Sequence, residues 1–362
     1  MIHHVACLVV AVVLYASPSL AQQAEAPRVV TDRPLFTSHN VLNFTIKAPL
    51  KQIIKQRGQD SEEFSGSLAL AQVQGDSISF DIKVRTRGKT RLEQSVCKFP
   101  PLRLNFKKNA VATTVFEGQD KLKLVTHCLD NSEAYEQYVL LEYLAYRTYN
   151  LLTDYSFRVR LARITYDDTE SDRAPLTAYG FLIEDKDRLA ARNGVDFLEV
   201  LNVAINLVDA DHLALIGVFQ YFIGNTDWSA FRPEPDKEEC CHNTKPIGLP
   251  DGPVYAVPYD FDLAGLLNTK YAYRIYKVNL ERMGIFSIRE RLYRGLCRSD
   301  PDLPNVFDLF KEKREEIYDL YRHQNDLQEK VLKKTLKYFD AFYKVINDEK
   351  KTRQAFHEVC RG

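Results

Sequence analysis

Between residues 41 and 130 apolar and polar side chains alternate along the chain, the period of a half-buried strand. "VLNFTIKAP" alternates cleanly, and "GSLALAQVQGDSISFDIKVRTRG" reads as two strands around a Gln74-Gly75-Asp76 turn. "PPLRLNF" and "DKLKLVTHC" extend the same pattern, so the sheet is expected to be mostly antiparallel. The period changes at Asp130. "DNSEAYEQYVLLEYLAYRTYNLL" offers Asn131 or Ser132 as an N-cap, then apolar residues at helical spacing. "FRVRLARITY" and "LTAYGFLIE", parted by the acidic turn "DDTESD", are expected to complete the sheet. Beyond Glu184 the pattern is helical. "DADHLALIGVFQYFIGN" is a buried helix closed by Gly224-Asn225, and residues 306–346 read as two long amphipathic helices with solvated charged faces. The expected fold is therefore α+β in two lobes, a sheet-rich lobe over residues 41–184 and a helical lobe over 185–362, with a cleft between them.

The start of the chain adds a compartment. "ACLVVAVVLYA" is too short to span a bilayer, and "SPSLAQQ" supplies a small-residue cleavage site, so residues 1–21 read as a secretory signal peptide. Residues 22–40 are a loose N-terminal segment, and the mature protein is expected to be exported, either periplasmic or extracellular, with no membrane span after cleavage. Six cysteines then remain, an even number that favours disulfides in an exported chain. Cys97 and Cys128 lie in neighbouring strand-like segments and make a plausible pair; a vicinal Cys240–Cys241 bond is possible but strained, so each of these is expected to have a distant partner or stay reduced. Lysine plus arginine equals aspartate plus glutamate at 49 each, so there is no global basic field and no nucleic-acid partner is expected.

Chemistry concentrates in "IGNTDWSAFRPEPDKEECCHNTKPI" and the "YDFD" that follows a strand-like run. Asp227 follows a helix and could orient a hydroxyl. Asn243 and Asp260 are hard oxygen donors of the kind Mg2+ takes. Each alone could equally cap a helix or hold a turn; their grouping is what points to phosphoryl transfer, which needs carboxylates, an orienting group and a cation against phosphate oxygens. Cys240, Cys241 and His242 could instead bind zinc, but their spacing matches no zinc motif. No G-x-S-x-G is present to support a serine hydrolase.

"GNTDW", "HN.K" and "DFD", with "RTRG", "CKFPPLRLNF", "KLKL" and "AYGFLIED" upstream, resemble the core of the spore coat protein H (CotH) kinase-like family, over roughly residues 40–270. That resemblance implies an atypical protein-kinase fold in an exported bacterial-type member. It implies Asp227 as the catalytic-loop aspartate, Asn243 and Asp260 as metal ligands, and Asp262 beside them where ordinary kinases carry glycine. A sheet lysine, Lys123 or Lys98, would meet the nucleotide phosphates, with Glu136 or Glu142 holding it. Lys123 has the better spacing to Glu136. Arg87 and Glu184 complete the nucleotide side. The implied cofactors are Mg2+ or Mn2+ with ATP, and the partners a nucleotide and an unknown hydroxyl acceptor. Two departures stand out: no G-x-G-x-x-G loop precedes the lysine strand, and Asp227 and Asn243 are sixteen residues apart. The expectation is metal-dependent phosphoryl transfer; the alternative is a non-catalytic exported envelope or extracellular binding protein.

Overall fold

The computed structural model describes residues 33–70, 77–233 and 239–361. The expected signal peptide, most of the expected N-terminal segment and the expected Gln74-Gly75-Asp76 turn lie outside the described residues.

Seven strands close into a barrel: β1 (Leu42–Ala48), β2 (Phe64–Leu70), β3 (Ile78–Thr86), β4 (Leu102–Phe106), β5 (Lys121–Val125), β6 (Val159–Asp168) and β7 (Leu176–Ile183). Around the barrel the order is β1-β2-β3-β4-β5-β7-β6. Neighbours are antiparallel except at the closure, where β1 runs parallel to β6 from Leu42↔Ala162 to Ala48↔Asp168. This overturns the expected two-lobed kinase-like fold with an antiparallel sheet lobe. The inward residues of β1, Phe44, Ile46 and Ala48, have a row of partners on both sides, and closure leaves no unpaired edge. The interior is a dry core of alternating side chains, including Leu68, Val84, Leu104, Leu122 and Ile164.

Helix α1 (Leu50–Lys55) follows β1. Between β5 and β6 runs α2 (Glu133–Leu152), which lays Leu140, Leu144 and Tyr146 against Val159, Phe181 and Ile183 on the outside of the barrel. Its other flank meets the C-terminal helices: Gln137 donates to the Asp326 carbonyl at 3.0 Å and accepts from the Gln328 amide at 2.8 Å. A second core forms there. Helix α3 (Lys186–Arg192) leads to a small sheet of β8 (Asp196–Phe197), β9 (Thr244–Gly248) and β10 (Val254–Pro258), ordered β10-β9-β8. Helix α4 (Ala210–Ile223) is buried from His212 onward, as its apolar sequence over that stretch, broken only by His212 and Gln220, demands. After α5 (Ala272–Arg282), the stretch read as two helices forms three: α6 (Leu303–Glu312), α7 (Arg314–Arg322) and α8 (Glu329–Ile346), before the short α9 (Glu349–Thr352).

Cys97 pairs with Cys128, Cys297 with Cys360, and Cys240 with its neighbour Cys241. The last corrects the expectation that the adjacent cysteines seek distant partners. Among the described residues no helix is long and apolar enough to cross a membrane.

Candidate functional site

Helix α4 ends at Gly224, whose φ of 67° is the left-handed cap that glycine adopts without a Cβ penalty; the Tyr338 hydroxyl also occupies the space a Cβ would fill. Asn225 then turns the chain by accepting the Asp227 amide at 3.0 Å, which aims Asp227 out of the helix end. Its carboxylate is held on both oxygens. His242 donates from Nε2 to Oδ1 at 2.6 Å, and Asn243 donates from Nδ2 to Oδ2 at 3.0 Å and to the Asp227 carbonyl at 2.7 Å. Asn243 has φ 51° and Asp260 φ 62°. Asparagine and aspartate tolerate this region best, and its occupation at two adjoining site positions is local strain of the kind found at working sites.

The hairpin β9–β10 delivers "YDFD" into the same space. Tyr259 donates its amide to the Asn243 carbonyl at 3.1 Å, and the Asp260 amide donates to the Tyr146 hydroxyl on α2 at 2.8 Å. Phe261 drops into the core between Tyr146 and Phe219. Asp262 is buried; it receives the Tyr271 hydroxyl at 3.1 Å.

Arg91, on the loop after β3, ties these pieces together. Its guanidinium stands 3.2 Å from Glu142, 2.9 Å from Asp260 and 3.4 Å from Asp262, with its side chain only 10% exposed. Burial opposes its charge, but Glu142, Asp262 and Asp260 together outweigh burial and hold the guanidinium firmly protonated. Three carboxylates share one cation, so negative charge is in excess. Burial, with Asp260 and Glu142 alongside, outweighs Arg91 and the Tyr271 hydroxyl and pushes Asp262 up to about 8. Burial likewise raises Glu142.

Asp227, Asn243, Asp260, Asp262, Arg87 and Arg91 line one polar cleft of about 210 Å³. Of the residues expected from sequence, the structure brings Asp227, Asn243, Asp260, Asp262 and Arg87 together. It sets four apart. Lys123 lies beside the cleft, its ammonium 5.6 Å from the Tyr259 ring, and burial plus Arg87 and Lys245 push it down to about 7. Lys98 lines a different cavity with Phe99 and Tyr166. Glu136 accepts the Tyr179 amide of β7 at 3.2 Å, and Glu184 forms a buried pair with Arg192 at 3.0 Å. The carboxylate on α2 that reaches the site is Glu142, and its partner is an arginine, not a sheet lysine. Sequence reasoning missed Arg91 and gave His242 only a zinc role. The four-residue step from Arg87 to Arg91 through "RGKTR" was the available signal for the first, and the adjacency of His242 to Asn243 for the second.

Among the described residues no group of three or more His, Cys, Asp or Glu is arranged to enclose a metal ion. Asn243 Oδ1 and the second Asp260 oxygen stay outside the contacts above. That donor set suits a hard cation bound through one or two protein oxygens and completed by a ligand's phosphates, the usual habit of Mg2+. No protein-family model matches the chain, and no curated protein matches it.

Proposed function

We propose that the cleft transfers a phosphoryl group from a nucleotide to a hydroxyl acceptor, with Mg2+ or Mn2+ as cofactor, in an exported protein. The reading rests on one observation: an orienting aspartate, two hard oxygen donors and two arginines line a single polar cleft. It adopts a site chemistry that resembles the CotH kinase-like family on a barrel scaffold, and not that family's implied fold.

In this reading Asp227, its carboxylate fixed by His242 and Asn243, accepts a hydrogen bond from the acceptor hydroxyl and takes its proton as the oxygen–phosphorus bond forms. The bond from phosphorus to the nucleoside diphosphate breaks in line, and the leaving diphosphate carries away its electron pair. Asn243 and Asp260 would hold the cation, which neutralises charge developing on the phosphates. Arg87 lines the cleft with no side-chain hydrogen bond among the described residues, so its guanidinium is available to phosphate oxygens. Asp227→Asn should lower phosphoryl transfer at least a hundredfold while leaving nucleotide binding within a few-fold, read by single-turnover transfer from radiolabelled ATP. Equal loss of binding and turnover would refute the base role.

A specific observation favours a second reading, a binding protein without turnover: Arg91 already bonds Asp260 and Asp262. On that reading nucleotides and metal leave the protein unchanged.

A further inference from the structure

A second cavity, of about 330 Å³, lies where the segment before β1 meets α2 and the start of β6. Its polar wall includes His39, Arg147 and Arg158; Phe36, Leu151 and Val159 make an apolar side. Arg147 spends one N–H on the Tyr143 hydroxyl at 3.1 Å, and its Nε is buried with no partner among the described residues. Five donors on a guanidinium leave most of them unused. Behind it Arg160, only 6% exposed, donates to the carbonyls of Leu35 and Ser38, and its Nε too is buried without a partner.

The local field is positive. Partial burial, then Arg147, Arg160 and Arg158, push His39 down to about 4, with no carboxylate working the other way. Two acids stand nearby: Asp154 lines the cavity, and Glu184 is bonded by Arg192. Guanidiniums gathered along a part-buried wall repel one another, and an anion between them relieves that repulsion. Oxyanions of a phosphate or sulfate monoester match the planar donor fork, and the apolar side suits a compact organic body.

We propose that this cavity binds an organic phosphate or sulfate monoester, its oxyanion on Arg147 and its body against Phe36, Leu151 and Val159. The site is separate from the Asp227 cleft and does not depend on the function proposed for that cleft.

The test is calorimetric titration of the oxidised full chain with phenyl phosphate, phenyl sulfate, inorganic phosphate and phenol at constant ionic strength. The variants are Arg147→Gln, Arg147→Lys and, for the other cleft, Arg87→Gln. Saturable binding of phenyl phosphate or phenyl sulfate is expected, tighter than inorganic phosphate and undetectable for phenol. Arg147→Gln should weaken it at least tenfold with circular dichroism unchanged, Arg147→Lys should weaken it less, and Arg87→Gln should leave it intact. No binding beyond a matched chloride control, or binding lost in Arg87→Gln and kept in Arg147→Gln, overturns the proposal. If Arg147→Gln fails to fold, retention of binding by the folded Arg147→Lys variant at full strength overturns it as well.

Discussion

Replacing Arg91 by methionine removes the cation that, among the described residues, pairs with Glu142, Asp260 and Asp262 alike, while keeping most of the side chain's volume. Breaking a buried ion pair by deleting one partner costs about 3–5 kcal/mol, because the remaining charge stays buried. Asp260 is 37% exposed and regains water, and Asp262, at about 8, is largely protonated at pH 7.5, so the loss falls mainly on Glu142, 3% exposed at the side chain. A destabilisation of about 4 kcal/mol at pH 7.5 follows. Its pH dependence is a separate check. Without Arg91 the folded-state pKa of Glu142, already raised by burial, climbs further above its unfolded value. The folded variant then keeps a proton that the unfolded chain releases, so stability returns as pH falls through that window and the gap to wild type narrows by pH 5. The assay is equilibrium urea unfolding of the oxidised protein, followed by the single tryptophan, Trp228, which is 4% exposed in the core beside the site. A loss under about 1 kcal/mol at both pH values, or a loss that grows as pH falls, refutes the reasoning. Arg91→Lys, which keeps the charge and loses the fork, should fall between wild type and the methionine variant.

Two other perturbations remove a buried titratable group. Asp262 in the folded protein sits at about 8 against an ordinary 3.8, so its carboxylate costs stability that accumulates as pH rises through that interval. Asp262→Asn should match wild type near pH 4 and exceed it by about 1–3 kcal/mol at pH 8, after the lost contacts to Arg91 and Tyr271 are counted; equal urea midpoints at both pH values contradict it. Lys123 sits at about 7 against 10.5, so the folded state disfavours its charge. Lys123→Met should stabilise at pH 6, with the gain shrinking as pH rises and gone near 10.5, measured by the same unfolding.

The alternation in "VLNFTIKAP" and "DKLKLVTHC" was sufficient to read β1 and β5 as strands, because one face of each meets the core. Closure was not readable. The parallel pairing of β1 with β6 joins residues about 120 positions apart, and alternation is the same whichever way a strand's neighbour runs. At the site, "GNTDW" and "DFD" are turn and hairpin-end residues with local signatures, so their order along the chain was legible. Arg91 had none. It sits among exposed polar residues on a loop, and its value comes from Asp260, 169 positions away. The choice between Glu136 and Glu142 also had to come from the fold. Six residues on a helix turn them about 240° apart, so one can face β7 while the other faces Arg91. Lys123 fitted the spacing of a strand entering a helix, but spacing along the chain does not say which side of a barrel wall meets the cleft.

The role proposed for Asp260 and Asn243 is to receive a nucleotide's phosphates together with a cation. Its most direct measurement is calorimetric titration of ATP into the oxidised protein with Mg2+, with Mn2+ and with EDTA, beside Asp260→Ala. Saturable binding is expected that needs the divalent cation and weakens at least tenfold in the variant. Binding equal in EDTA, equal in Asp260→Ala, or absent throughout contradicts it and leaves the Arg91 cluster as a structural ion network.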